Sequence, residues 1–350
     1  MPRIGLPATP KAAGRNSPGR SSSSPLLSSG LRIAAAAIAF RVISSLVGSF
    51  VARVFTGATT TALAGSPGAS FGLYPMLTRQ LGRVAGGVFR APVTPGLVLS
   101  WTAFALAMVM MKFVAGLDTD DERAEGAALL AAVFPFASVF GHENADALFL
   151  LFALTAFYGV RQGQWIIGGL AGAFATATLP AGILILPALA LTGWRSAGAS
   201  RKRLLIALSI SACGFAGYLI YLYYLGGPPG GWAASTASWG FRLTAAPWTP
   251  IRQLFTSHLA AVDALNAVIA CVFLVAVPIV WWRFDGGYAV YLLAMLWLPL
   301  ISGRFDGLGR ACALSFPVFV LIAGVRWRLV LVAAAITSAM FYALALALCS

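Results

Sequence analysis

Residues 134–152, FPFASVFGHENADALFLLF, decide how the rest of the chain is interpreted. Two apolar runs meet there at four polar residues, which we call the polar knot: His142, Glu143, Asn144 and Asp146. An acidic side chain at the boundary of a membrane segment is stable only where water, a partner group or chemistry compensates its charge. The stretch therefore predicts a membrane protein with a polar site at one membrane edge.

Composition places the whole chain among integral membrane proteins. Hydrophobic residues make up 59% of the 350 residues, charged residues 10%, and the mean hydropathy is +0.86. A water-soluble fold of this length cannot bury so much apolar surface. The 24 Lys and Arg residues, which dominate a net charge of +14, fall in small groups between apolar runs. This distribution predicts membrane lipid as a partner and no nucleic acid, because helix flanks that contact anionic lipid have this pattern.

Cysteine and histidine spacing predicts no metal and no cofactor. The four Cys residues are far apart and mostly inside apolar runs. Neither of the two His residues stands in an HExxH pattern or another metal-ligand spacing.

The chain divides into a tail and one multi-pass domain. Residues 1–30 hold four basic residues, no acid and many Ser, Pro and Gly, which predicts a disordered cytoplasmic tail. Residues 31–350 are predicted to form an all-α, polytopic domain of about eleven apolar segments, some short or re-entrant. An amphipathic helix over residues 71–84 is predicted to lie at the membrane surface. The segments lie near residues 31–54, 96–117, 126–140, 147–160, 164–177, 181–192, 204–225, 260–282, 288–301, 311–325 and 329–348.

The positive-inside rule predicts which residues share a membrane face. With the N-terminus in the cytoplasm, the basic loop at residues 195–203 lies inside, as do the turns near Asp118, Arg161 and Arg283. The polar knot and residues 303–310 then lie together on the outer face. The short tail and the lack of an organelle signal favour a bacterial plasma membrane.

Five stretches, in order over about residues 30 to 325, resemble motifs of the GPI mannosyltransferase 2-like membrane glycosyltransferases. They are FGLYPMLTRQLG (71–82), FPFASVFGHENADALFLLFAL (134–154), GGLAGAFATATLPAGILILPALAL (168–191), SWGFRLTAAPW (238–248) and GLGRACALSFPVFVLIAG (307–324). The resemblance implies a GT-C type fold. It also implies transfer of a hexose, in this family mannose, from a polyprenyl-phosphate carrier to an acceptor at the extracytoplasmic face.

The resemblance also implies roles for individual residues. Asp146 stands where the family usually has Glu, and with Glu143 it is the candidate to take the proton of the acceptor hydroxyl. Arg310 is the candidate to bind the donor phosphate. Three aromatic residues are expected to line the path of the sugar or lipid: Tyr74, Trp239 and Trp248.

The chain departs from the family pattern, and this leaves three hypotheses open. The Trp-Asp pair of the first outer loop is absent from residues 55–70, and Leu179 and Ala181 stand where the family has Arg and Asn. The chain is an active glycosyltransferase, a non-catalytic relative that binds lipid phosphate or another membrane protein, or a transporter with a midplane site.

Structural readings of the same residues also remain open. In a purely structural interpretation, the polar knot starts a helix, with Asn144 as the N-cap and acids in the first turn that complement the helix dipole. Arg310 would belong to a solvated turn beside Asp306.

Overall fold

The computed structural model describes residues 28–40, 72–85, 94–197, 201–226, 261–302 and 306–324. All regular structure in these ranges is helical, which confirms the predicted all-α class. The helices are α1 Ser28–Phe40, α2 Leu73–Val84, α3 Pro95–Ala115, α4 Asp121–Val133, α5 Asp146–Arg161, α6 Trp165–Thr178, α7 Ile185–Ala197, α8 Arg201–Gly226, α9 Ala261–Arg283, α10 Gly286–Ser302, α11 Asp306–Leu314 and α12 Phe316–Ala323, with 3-10 segments at Pro135–Gly141 and Pro180–Leu184.

Several of the described helices are suited to a membrane. Three are long and apolar enough to cross one alone: α3, residues Arg201–Tyr221 of α8, and residues Ala264–Arg283 of α9. Helix α4 and the following 3-10 segment, bent by 66° between them, form a fourth candidate. Other described helices are apolar but shorter, as predicted for the short segments. The predicted membrane-type helical fold is therefore confirmed, whereas the number eleven stays a prediction.

Two predicted boundaries are wrong. The predicted span over residues 311–325 is two helices, because α11 ends at Leu314 and α12 begins at Phe316. Pro317 lacks an N–H and its ring would clash with the carbonyl four residues earlier, which accounts for the break here, although α9 and α10 continue through Pro278 and Pro299. At the N-terminus, residues 28–30 belong to α1 rather than to the tail. The rest of the tail, residues 1–27, and the predicted span 329–348 lie outside the described residues.

Glycines allow α6 to pack closely between α5 and α8. A Cβ atom on Gly168 would lie 3.0 Å from the backbone N of Val160 on α5. One on Gly172 would lie 2.9 Å from Cβ of Ser211 on α8. The two glycines of this GxxxG motif therefore contact different neighbours, which is the tight packing expected of small residues in membrane helices.

Two groups of polar contacts lie at opposite ends of α3. At the C-terminal end of α3, Arg161 donates to the two oxygens of Asp118 at 2.8 and 3.1 Å and to the Tyr288 hydroxyl at 3.3 Å. At the N-terminal end of α3, Thr94 and Trp101 contact the polar knot and the segment before it. The 21 residues of α3 span about 30 Å, the thickness of a bilayer core. The turns at Asp118 and Arg161, both predicted to lie inside, therefore meet at the end of α3 opposite the polar knot.

Candidate functional site

Asp146 and Arg310, 164 residues apart in the sequence, form an ion pair. Asp146 is the first residue of α5, and Arg310 lies within α11 rather than in a solvated turn. Nε of Arg310 donates to Oδ1 of Asp146 at 2.8 Å, and Nη2 lies 2.7 Å from the same oxygen. These are short, charge-assisted hydrogen bonds. The structure thus brings together the predicted acid and the predicted phosphate-binding guanidinium, although their roles remain predictions.

The two partners differ in their exposure to solvent. The Asp146 side chain is fully buried, whereas 29% of the Arg310 side chain is exposed. A buried carboxylate is stable only when it is paired and hydrogen-bonded, and Arg310 supplies that compensation. Access to the pair is therefore from the Arg310 side.

The second carboxylate oxygen of Asp146 has no partner among the residues that the structure describes. Oδ2 is buried and makes no hydrogen bond within the described residues. A buried acceptor without a donor costs about 1–3 kcal/mol, so such atoms in native proteins require an explanation.

Asn144 positions the start of α5. Its Oδ1 accepts from the Asp146 N–H at 3.1 Å, and its Nδ2 donates to the Val139 carbonyl at 2.5 Å. Ala145, rather than Asn144, is the N-cap residue and no side chain caps the helix, so the interpretation of Asn144 as the cap is wrong. Asp146 also lies in the first turn, where a negative charge complements the helix dipole. The same contacts that start the helix therefore orient Asp146 toward α11.

Glu143 is the exposed acid of the polar knot. Its Oε1 accepts a hydrogen bond from the Thr94 hydroxyl, at the N-cap of α3. His142 beside it is also exposed. Of the two predicted proton acceptors, Glu143 is the one that an acceptor molecule can reach from solvent.

Tyr74 is linked to the polar knot through hydrogen bonds. Its hydroxyl donates to the Gly96 carbonyl at 2.8 Å and is hydrogen-bonded to Ser100 Oγ at 2.9 Å, and Ser100 donates to the Asn144 carbonyl at 3.1 Å. Burial raises the pKa of Tyr74 to about 12, and the nearby charge of Glu143 acts in the same direction. The phenol is therefore a neutral donor at pH 7. It joins α2 to α3 and the polar knot, rather than standing at an exposed surface.

Two predicted site residues lie outside the described part of the chain. Trp239 and Trp248, together with residues 55–70, lie outside the described residues. Leu179 and Ala181 are buried in the apolar core, so the described structure has hydrophobic packing where the family has two polar residues.

The structure also adds two residues that the sequence interpretation missed. Asn266 on α9 is only 5% exposed, and its Oδ1 has no hydrogen-bond partner within the described ranges. A Cβ atom on Gly309 would lie 2.6 Å from this oxygen and 2.5 Å from Cδ1 of Phe136, so only glycine leaves room for both groups beside Arg310. The sequence did carry a signal for Asn266, because it is an amide residue inside an apolar span. Burying a polar side chain in a membrane segment costs free energy, so such residues often have a function.

Comparisons with known proteins do not assign the chain to a family. No family model matches the chain, and no curated protein matches its sequence. Among solved structures, the apo form of the Archaeoglobus fulgidus oligosaccharyltransferase is similar, with 14% identity and a TM-score of 0.45. The match covers 93% of this chain and 56% of the oligosaccharyltransferase chain, so this chain spans about half of its length. Fold and composition together define a multi-pass, all-helical membrane protein with a buried ion pair near one end of its bundle.

Proposed function

We propose that the protein is a membrane glycosyltransferase that moves a hexose, specifically mannose, from a polyprenyl-phosphate carrier to an acceptor. The observation that carries the proposal is the pairing of Arg310 with the buried Asp146, close in the chain to the exposed Glu143. These residues provide an oriented guanidinium and an accessible carboxylate at the same end of the bundle. The reaction needs both, since a phosphate must leave and a hydroxyl must lose its proton.

Arg310 is proposed to bind the donor phosphate. Asp146 accepts from Nε and Nη2, which fixes the plane of the guanidinium while part of the side chain stays exposed. A guanidinium with a fixed orientation matches phosphate oxygens well and stabilises the negative charge that develops as the carrier phosphate leaves. Asp146 is then not the base, because its side chain is fully buried and its Oδ1 is already paired with Arg310.

Glu143 is proposed to be the general base. Thr94 holds one of its carboxylate oxygens in an exposed position. The acceptor hydroxyl oxygen would form a bond to the anomeric carbon of the sugar, the bond from that carbon to the phosphate oxygen would break, and Glu143 would take the hydroxyl proton. General-base catalysis of this kind contributes about 10²- to 10⁴-fold to the rate.

A non-catalytic relative that binds lipid phosphate is the second candidate. The observation that favours it is the apolar burial of Leu179 and Ala181, where active members of the resembled family carry polar residues. The transporter hypothesis has less support, since Asp146 is the first residue of α5 and the polar knot contacts the N-terminal end of α3 rather than its middle.

The test is sugar release from polyprenyl-phosphate mannose by purified protein in lipid nanodiscs. Glu143→Gln is expected to lower the release rate at least about 100-fold with unchanged donor binding. Glu122→Gln, which removes an exposed acid in the first turn of α4, is the matched control and should keep the wild-type rate. Full turnover in Glu143→Gln would remove Glu143 as the base. Donor binding without turnover in the wild type would establish the non-catalytic relative, and the absence of donor binding would refute both candidates.

A further inference from the structure

Two buried oxygen atoms close to α11 have no hydrogen-bond donor. They are Oδ2 of Asp146 and Oδ1 of Asn266, and both lack partners within the described part of the chain. Their side chains are fully buried and 5% exposed, respectively. Each unsatisfied acceptor costs free energy, so two of them beside one helix call for donors from beyond the described residues, which a bound ligand would supply.

Both side chains contact α11, at consecutive residues. Asp146 is bonded to the Arg310 side chain through its other oxygen. Oδ1 of Asn266 lies 2.6 Å from the position that a Cβ atom of Gly309 would occupy. The acceptors therefore come from α5 and α9 and meet at the helix that carries the guanidinium.

The chemistry of these groups restricts the ligand. A carboxylate oxygen and an amide oxygen accept hydrogen bonds, so the ligand must carry donors such as hydroxyl groups. The Arg310 guanidinium donates only, and the part of it that stays exposed beside Asp146 favours a ligand that also carries an anion. The same positive charge opposes a metal ion at these oxygens. A sugar phosphate combines both features in one molecule.

We propose that Asn266 is a sugar-binding residue, which together with Asp146 Oδ2 accepts hydrogen bonds from hexose hydroxyls while Arg310 binds the phosphate. The proposal rests on the proposed function, because it assigns the sugar subsite of the same site. It places the hexose between α5, α9 and α11, and it makes α9 part of the binding site.

The test compares two soluble probes by isothermal titration calorimetry. Mannose 1-phosphate offers an anion and hydroxyl donors, whereas sulfate at pH 7 offers an anion and no donor. Asn266→Leu is expected to weaken mannose 1-phosphate binding about tenfold and to leave sulfate binding unchanged, since one hydrogen bond is lost. Arg310→Gln should weaken both probes.

The control variant is Thr176→Val, which removes a buried hydroxyl that donates to the Ser211 carbonyl at 2.8 Å on α8. It should lower the melting temperature and leave the ratio of the two affinities unchanged. Asn266→Leu should not lower the melting temperature, because the leucine removes an unsatisfied buried acceptor.

The ratio of the two affinities decides the outcome. An unchanged ratio in Asn266→Leu, whether or not the variant is less stable, would overturn the proposal and indicate a structural water at this oxygen. The proposal would also be overturned if the wild-type protein bound neither probe. Equal affinity of the wild-type protein for sulfate and for mannose 1-phosphate would overturn it too.

A second arm uses polyprenyl-phosphate mannose in nanodiscs and measures binding without turnover. If Asn266→Leu weakens the binding of polyprenyl-phosphate mannose by a similar factor, the lipid-linked sugar is the ligand. If it weakens only the binding of mannose 1-phosphate, the ligand is a free sugar phosphate. If wild-type protein binds the sugar but never releases it, the catalytic proposal fails and the sugar subsite stands.

Discussion

Removing either partner of the Asp146–Arg310 pair is expected to destabilise the protein by unequal amounts. Arg310→Gln leaves a wholly buried carboxylate without a cation, and breaking a buried pair in this way costs about 3–5 kcal/mol. Asp146→Asn leaves a guanidinium that is 29% exposed and retains part of its hydration, so the expected cost is about 1–3 kcal/mol. In the double variant neither charge remains, and its cost should be smaller than the sum of the two by about 1–3 kcal/mol.

Equilibrium unfolding in detergent micelles at pH 7, followed by far-UV circular dichroism, measures these free energies. Lowering the pH should restore part of the stability of Arg310→Gln, because protonation removes the buried charge. Arg79→Gln, which removes an exposed arginine of α2, should change stability by no more than about 0.5 kcal/mol. Additive costs, or a larger cost for Asp146→Asn than for Arg310→Gln, would refute the assignment of Asp146 as the buried partner.

Further substitutions test the supports around the site. Tyr74→Phe removes a hydroxyl with two buried partners and should lower the free energy of unfolding by about 1–2 kcal/mol, measured in the same assay. Gly309→Ala should cost about 1–3 kcal/mol and lower the melting temperature, because its Cβ would lie 2.5 Å from Phe136. A wild-type melting temperature would contradict that packing. Arg161→Gln breaks the ion pair with Asp118 and should lower the free energy of unfolding by about 2–4 kcal/mol. The sugar release rate per folded molecule should stay unchanged, because this pair lies at the other end of the bundle.

Much of the helix order could be read from the sequence. Apolar runs separated by basic turns predicted α3, α5, α8 and α9 to within about four residues at each end, since hydrophobic length depends on composition alone. The amphipathic spacing of residues 71–84 likewise predicted α2. The break at Ser315 was missed, although Pro317 carried the signal for it.

The candidate site was predictable only in part. The polar knot stood out because acids are rare in apolar runs, and Arg310 was identified through the resemblance to known glycosyltransferases. That their side chains form an ion pair could not be derived, because 164 residues separate them and no local pattern encodes the contact. The buried position of Tyr74 also depends on how α2 packs against α3.

By itself, the sequence determined that this protein is a helical membrane protein with its polar residues gathered at segment edges, because apolar length and charge distribution are properties of the chain alone. The tertiary structure decided which of these polar residues meet. It buried Asp146 against Arg310, left Glu143 exposed, and placed Asn266 beside Gly309. The physical reason is that burial and pairing of a polar group depend on the helices packed around it, and those neighbours come from distant parts of the chain.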